Sequence, residues 1–576
     1  MTINAKDGPL VAEESSPKRP SPAVVQDTLA NSTIYLTGWQ LQLLSLSLSL
    51  CMLLVNIEVS IIGTSLVSIT DDLHGFNQNG WVVTGYLITY TGMIIIWSKL
   101  SDVFGRKPAI LATLSIFTVF SGGCGATQTM TQLIICRVFQ GIGAAGCFSL
   151  ALTVAYEMVP KEKYPAQAAQ LAASTALGSL VGPLIGGAIS QDTTWRWVFL
   201  LNVPAGVVIL ILLFISIPRN FPNHGNTSYM APTLRQKFSS SSLARLDVFG
   251  ATFLLGATLL LVTVLLEAGT SFSWNSATSI SLLVVSAVLW VLFVVTECIV
   301  TGEKWRPEPV FPWRFFFSRA WMGTLMISLF SGIPYNTVVI TIPQRFQAVY
   351  GTTPLGAGVR LIPFNFLISF ASVFVNILAA KARIKPIYLL LVGSALQLIG
   401  LALFTTITND TTIPAAIYGY EIISGFGVGM VIGICLVIPP HVVETRDLAV
   451  ASGALLQFRM LGGALGLAIA SNVLNNRLNS ALAGLVSAEE LSVLLRSTAS
   501  IHLLPPRLQA QVLAAFSDGY NLQMKIMTGF AGAQLLTVGT LWRKNQISVV
   551  GDEAKASTQS VDLEKKSSVK EPPPTM

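Results

Sequence analysis

Four ionisable residues, Glu58, Arg137, Glu421 and Arg459, stand well inside long apolar runs of this 576-residue chain. A charge at the centre of a bilayer costs about 2.5–3.5 kcal/mol on insertion scales, so each needs a partner, a cavity or an ion path. A carboxylate in that position can hold a proton in one conformation and release it in another. Glu58 therefore reads as a proton carrier or, alternatively, as a structural carboxylate paired with a nearby arginine. Arg137 reads as a cavity-facing charge or as a side chain snorkelling to a helix end. Glu421 fits either a gate salt-bridged to Arg137 or a substrate contact, and Arg459 is the other ionisable group of the same region. Glu267 and Glu297 lie near the ends of their runs and read as interfacial.

Other chemistries have little to stand on. The chain has no G-x-x-x-x-G-K-[ST] phosphate loop, no G-x-S-x-G and no His/Asp/Glu cluster with metal-ligand spacing, so neither an enzyme nor a cofactor is expected. The six cysteines (Cys51, Cys124, Cys136, Cys147, Cys298 and Cys435) all fall in apolar runs and read as small core residues.

The elements that must position these groups are membrane spans. The chain is 52% hydrophobic and 11% charged, with a mean hydropathy of +0.65. Soluble domains carry about 25% charged residues. The net charge of +7 implies no nucleic acid, because the basic residues sit at the ends of apolar runs. About 20 apolar residues cross the roughly 30 Å hydrocarbon core. That template places spans at about 41–64, 81–99, 108–127, 131–156, 166–190, 197–217, 247–267 and 279–301, and then at 320–344, 356–380, 386–408, 414–438, 448–473 and 522–542. Alternate loops are basic (Lys99, Arg106, Lys107, Arg219, Arg314, Arg319, Lys385, Arg543), whereas the others hold only Arg196, Arg345, Arg477, Arg496 and Arg507. Fourteen spans with both termini in the cytoplasm satisfy this asymmetry. Segments 1–40 and 543–576 are polar and read as disordered tails, with no cleavable signal peptide.

The order of short motifs repeats. Leu100 to Pro108 aligns with Leu378 to Pro386, Arg137 to Gly143 with Glu421 to Gly427, and Gly182 to Ser190 with Gly463 to Ser471. This parallel duplication pairs spans 1–6 with 9–14 and leaves 7 and 8 as an inserted pair. In the stretch Trp97 to Leu111, Gly105 permits a tight turn, Pro108 suits the first turn of a helix, and Asp102 can sit near a helix N-terminus.

That stretch resembles the loop between spans two and three of major facilitator superfamily transporters, with Leu100, Asp102, Gly105, Arg106 and Lys107 matching and Ser98 and Val103 departing. Arg137-Val-Phe-Gln-Gly-Ile-Gly-Ala-Ala-Gly146 resembles the family's span-four motif, Gly178, Gly182, Pro183, Gly186 and Gly187 its span-five antiporter motif, and Glu58 to Leu66 the span-one signature of its fourteen-span drug/proton antiporters. Trp195 to Pro204 and Pro343 to Gly351 extend the likeness.

The resemblance implies an all-α membrane protein of the major facilitator fold: two six-helix bundles (41–217 and 320–542), a 218–319 segment with the inserted pair, and an outer loop at about 473–521. It implies proton-coupled efflux of amphipathic compounds (drugs, toxins or secondary metabolites) by alternating access, with Glu58 and Arg137 in proton coupling and Asp102, Gly105, Arg106 and Lys107 in a switch that latches the halves. The substrate cavity would lie between spans 1, 4, 9 and 12, with Tyr335, Asn336, Tyr418, Tyr420, Glu421 and Arg459 as candidates. The proton gradient is the energy source, the partners are a small amphipathic molecule, protons and lipid, and the protein works as a monomer. The expected location is the plasma membrane, with the vacuolar membrane as the other choice, and Asn409 is a candidate glycosylation site. A proton-driven importer of a siderophore or other nutrient, and a transport-inactive sensor, are the competing readings.

Overall fold

The computed structural model describes residues 35–73, 79–160, 163–222, 247–268, 272–301, 308–382, 384–408, 412–444, 447–482, 505–544 and 546. Asn409 and most of both tails lie outside the described residues. The helices are α1 Gly38–Asp72, α2 Asn79–Phe104, α3 Arg106–Ala126, α4 Met130–Glu157, α5 Tyr164–Asp192 and α6 Arg196–Ser216, the last interrupted at Leu201. They continue with α7 Val248–Glu267, α8 Ala277–Val300, α9 Arg319–Ala348, α10 (Pro354–Arg360, then Ile362–Lys381), α11 Pro386–Phe404, α12 Ala416–Val437, α13 Leu448–Leu482 and α14 Pro506–Val538. Among the described residues no β-strand forms.

Thirteen of these helices are long and apolar enough to cross a membrane, so the chain is a multi-pass membrane protein. The exception is α14, whose course is interrupted by Asn521, Gln523, Lys525 and Gln534. Both flanks of the expected outer loop at 473–521 are helical: α13 runs on to Leu482 and α14 begins at Pro506, while residues 483–504 lie outside the described residues. Leu478, Leu482, Val512, Phe516 and Tyr520 pack into one apolar cluster there. Their i, i+4 spacing makes a helix face without the continuous apolar run that marks a span. Arg345, expected in a loop, is buried in α9 and donates to Asn521 Oδ1 (2.7 Å) and Ser517 Oγ (3.1 Å) of α14.

Packing repeats the sequence duplication. In the first half α1 packs on α5 and α6, and α4 on α2 and α3; in the second α9 packs on α13 and α14, and α12 on α10 and α11. The correspondence reaches single residues. A Cβ at Gly143 would fall on the backbone of Thr113 and Phe117 in α3, and one at Gly427 on that of Gly393 and Gln397 in α11. The two bundles meet along two equivalent seams, α2 with α13 and α5 with α10, and α7 packs on both α2 and α13. At the end bearing the α2–α3 turn, called here the basic end, one apolar core runs through both bundles. Toward the other end the cores separate, one with Ile61, Leu133 and Phe199, the other with Val338, Phe364 and Phe404.

Candidate functional site

The α2–α3 turn is built on Gly105, whose φ of +96° is a conformation that side chains with a Cβ rarely adopt. With the chain reversed there, Arg106 in the first turn of α3 meets the end of α4: its Nε lies 2.9 Å from one Glu157 carboxylate oxygen, and its Nη2 2.6 Å from the other. It also pairs with Asp102 one turn back in α2, at 2.5 Å. The Lys107 Nζ donates to the Phe214 and Ile217 carbonyls at the end of α6, each at 2.6 Å, where a cation complements the helix dipole. Among the described residues these bonds of Asp102, Arg106 and Lys107 stay inside the first bundle. Their neighbours reach further: Lys99 pairs with Glu308 of the segment between the bundles at 3.0 Å, and across the seam Ser98 lies under Gly453 of α13.

A second cluster forms where α1, α4 and α6 converge. Arg137 is buried against Glu58 and donates to it directly, so the snorkelling reading of Arg137 is excluded. The Asn202 side-chain amide donates to the other Glu58 oxygen. Arg137 also donates to Gln140 Oε1 (2.8 Å) and to the Val82 carbonyl (3.1 Å), and stacks over the Tyr86 ring at 4.2 Å. Gln140 in turn donates to Ser121 at 2.7 Å. Guanidinium and carboxylate are thus fixed with both oxygens bonded, which is what a buried ion pair needs to survive desolvation. Asn202 and Gln140 were not singled out from the sequence, although both lie inside strings that were.

The span-five string packs α5 onto α1. A Cβ at Gly178 would meet the Leu53 carbonyl, and one at Gly182 the Ser60 hydroxyl. Pro183, Gly186 and Gly187 follow in the same helix, with Pro183 inside it. In the second half Gly463 stands equally close to Asn336.

Between the bundles lies a cavity of about 60 Å³, lined from α1, α4, α5, α9, α10, α12 and α13. Of the expected lining residues it holds Tyr335 and Arg459. Asn336 faces α13, Tyr420 packs edge-on against Phe404 at 5.9 Å, and Tyr418 and Glu421 lie away from the lining. Glu421 does not meet Arg137: it is fully buried in α12, with both oxygens unpaired among the described residues. The sequence missed Ser179, Asn365, Ser369 and Ser372, because small polar residues in an apolar helix read as packing.

Glu267 and Glu297 lie at the ends of α7 and α8 and are buried there, and Glu297 accepts the Val310 N–H at 3.1 Å. Cys298, by contrast, is exposed on α8.

The sequence pattern of the Major Facilitator Superfamily matches residues 48–303. The chain is 40% identical over 512 residues to the MFS-type transporter FPY5 of Fusarium mangiferae, covering 89% of this chain and 85% of that one. It is 30% identical over 549 residues to the MFS-type efflux pump MFS1 of Trichophyton rubrum, covering 94% and 98%. A solved bacterial homologue of the human lysosomal transporter Spinster superposes with a TM-score of 0.56 at 13% identity, over 88% of this chain and all of that one.

Proposed function

The chain belongs to the major facilitator superfamily, transporters of small molecules rather than enzymes, and on that premise we propose that it exports amphipathic organic compounds in exchange for protons. The observation that carries this reading is the buried Glu58–Arg137 pair between α1 and α4. A proton delivered to Glu58 would dissolve the pair. The Arg137 guanidinium would stay in place, because Gln140, the Val82 carbonyl and the Tyr86 ring also hold it. Protonation thus removes one tie between α1 and α4 without unravelling the site, which suits a carrier that must cycle.

The direction is supported by the Gly178–Gly187 string of α5 and by a relative named as an efflux pump. The apolar core continuous at the basic end fits a carrier closed toward the cytoplasm. In this reading α14 is the fourteenth span, both termini are cytoplasmic and the protein resides in the plasma membrane. One proton crossing about 100 mV contributes about 2.3 kcal/mol, and each pH unit about 1.4 more, enough for a gradient on the order of several hundredfold in a neutral solute.

The test is efflux of a fluorescent amphipathic compound from cells expressing the chain, beside Glu58→Gln and Arg137→Ala at equal expression. Efflux should collapse with a protonophore and in both variants. Inward accumulation by the intact protein would replace export with import. Loss of function on trimming the residues after Arg543 would favour a sensor. Efflux that persists in Glu58→Gln would remove Glu58 as the proton carrier.

A further inference from the structure

Among the described residues, the wall of the space between the bundles carries a single charged side chain. Of the residues lining the 60 Å³ cavity, Arg459 of α13 is the only acidic or basic one. It also borders a second, smaller space, with Ser331 and Cys435. Among the described residues the Arg459 side chain has neither an ion-pair nor a hydrogen-bond partner, and its Nε is buried and unpaired. Two neighbouring hydroxyls share that condition: Ser372 Oγ in the wall of the first space and Ser331 Oγ in that of the second. The buried carboxylates are committed or distant. Glu58 is held by Arg137 and Asn202, and Glu421 borders neither space.

An arginine side chain brings a permanent cation with five N–H donors and no acceptor. Buried charges are paired or mark a ligand's path. What is missing here is an anion, and the planar fork of an arginine matches a carboxylate, sulfonate or phosphate through two parallel bonds. Met52, Phe148, Leu152 and Ile368 supply apolar wall beside it, while Asn365 and Ser369 add polar groups.

Resting on the exporter reading, we propose that the cavity between the bundles receives amphipathic organic anions and that Arg459 binds their anionic group. Exporting an anion while a proton enters moves charge in one sense across the membrane, so an inside-negative potential drives both legs.

The matched probes are 11-(dansylamino)undecanoic acid and its methyl ester, which share an amphipathic body and differ in charge. With full-length protein in nanodiscs, read by dansyl fluorescence, the acid should bind at least about tenfold more tightly than the ester, as a charged hydrogen-bonded contact implies. Arg459→Gln should abolish the preference, and Arg459→Lys should keep part of it. Ser372→Ala replaces an unpaired hydroxyl and so spares the fold; it should weaken the acid alone, by roughly three- to tenfold. Equal binding of acid and ester to the intact protein overturns the proposal. So does displacement of the acid by sodium chloride at constant ionic strength, which would assign the site to an inorganic anion. An acid preference without protonophore-sensitive transport of the acid would leave the anion site standing and defeat the exporter reading. Transport of both probes at one rate would do the reverse.

Discussion

The Tyr156 hydroxyl of α4 donates to the Leu436 carbonyl of α12 at 2.6 Å, inside the apolar core that joins the two bundles at the basic end. A hydrogen bond of this kind contributes about 1 kcal/mol net. Tyr156→Phe should therefore shift the population toward conformations open at that end by about fivefold. The readout is maleimide labelling of a Ser179→Cys reporter in the cavity, applied from the basic-end side. An unchanged labelling rate would show that the bond does not hold the halves.

Gly182 and Ser60 should behave as a lock and its release. A Cβ at residue 182 lands on the Ser60 hydroxyl, so Gly182→Ala should destabilise by about 1–3 kcal/mol through overpacking. Ser60→Ala should restore part of the loss in the double variant, because it removes the nearest obstruction and leaves the Ile57 carbonyl and the residue-60 Cβ at 3.0 Å. Thermal unfolding of the purified protein measures both. Gly463→Ala with Asn336→Ala tests the same relationship in the second half.

Glu58 and Glu421, both buried, should respond differently to amidation. Glu58→Gln strands Arg137 and should cost about 3–5 kcal/mol of stability, with the double variant Glu58→Gln/Arg137→Gln costing less than the sum of the single ones. Glu421→Gln removes no partner, so its unfolding temperature should stay close to that of the intact protein. A large loss at Glu421 would mean that it is paired in the membrane.

Arg106→Lys keeps the charge but loses the two-pronged grip on Glu157. Transport should slow while substrate affinity stays unchanged, because the turn lies far from the cavity. A rise in KM with kcat intact would place Arg106 in binding instead.

Asp247 caps α7 by accepting the Gly250 N–H at 2.8 Å, facing Glu297 and Lys99. Burial pushes its carboxyl above the usual 3.8, against the pull of that N–H and of Lys99. The folded chain thus holds this proton more tightly than the unfolded one. Its contribution to stability is complete below about pH 4 and is lost as pH rises through the folded value. Asp247→Asn keeps a capping oxygen and cannot ionise, so its gain in unfolding temperature should grow from pH 4 to pH 8. A pH-independent difference would refute the assignment.

The spans and their duplication were legible in the sequence because lipid demands long apolar runs and a duplicated motif keeps its order, as at Gly143 and Gly427. The extensions of α13 and α14 were not, because residues 473–482 and 506–521 form helix faces from scattered Leu, Val and Phe, while the span template asks for unbroken runs. Glu58 and Arg137 could be picked out singly, as charges in apolar sequence, but their pairing depends on which helix faces meet. The same limit applies to Glu421: the repeat set it opposite Arg137 in register, yet it is buried without meeting Arg137 and does not line the cavity. Serines 179, 369 and 372 carry no pattern that separates a cavity wall from close packing.

The bilayer does not meet the two seams alike. α7 lies across the α2–α13 seam and packs on both of its helices, while the equivalent α5–α10 seam has no such cover among the described residues. A two-fold machine has thereby acquired a front and a back. At the back a helix separates the seam from the lipid, whereas at the front α5 and α10, which give Ser179, Ser369 and Ser372 to the cavity wall, meet the lipid themselves.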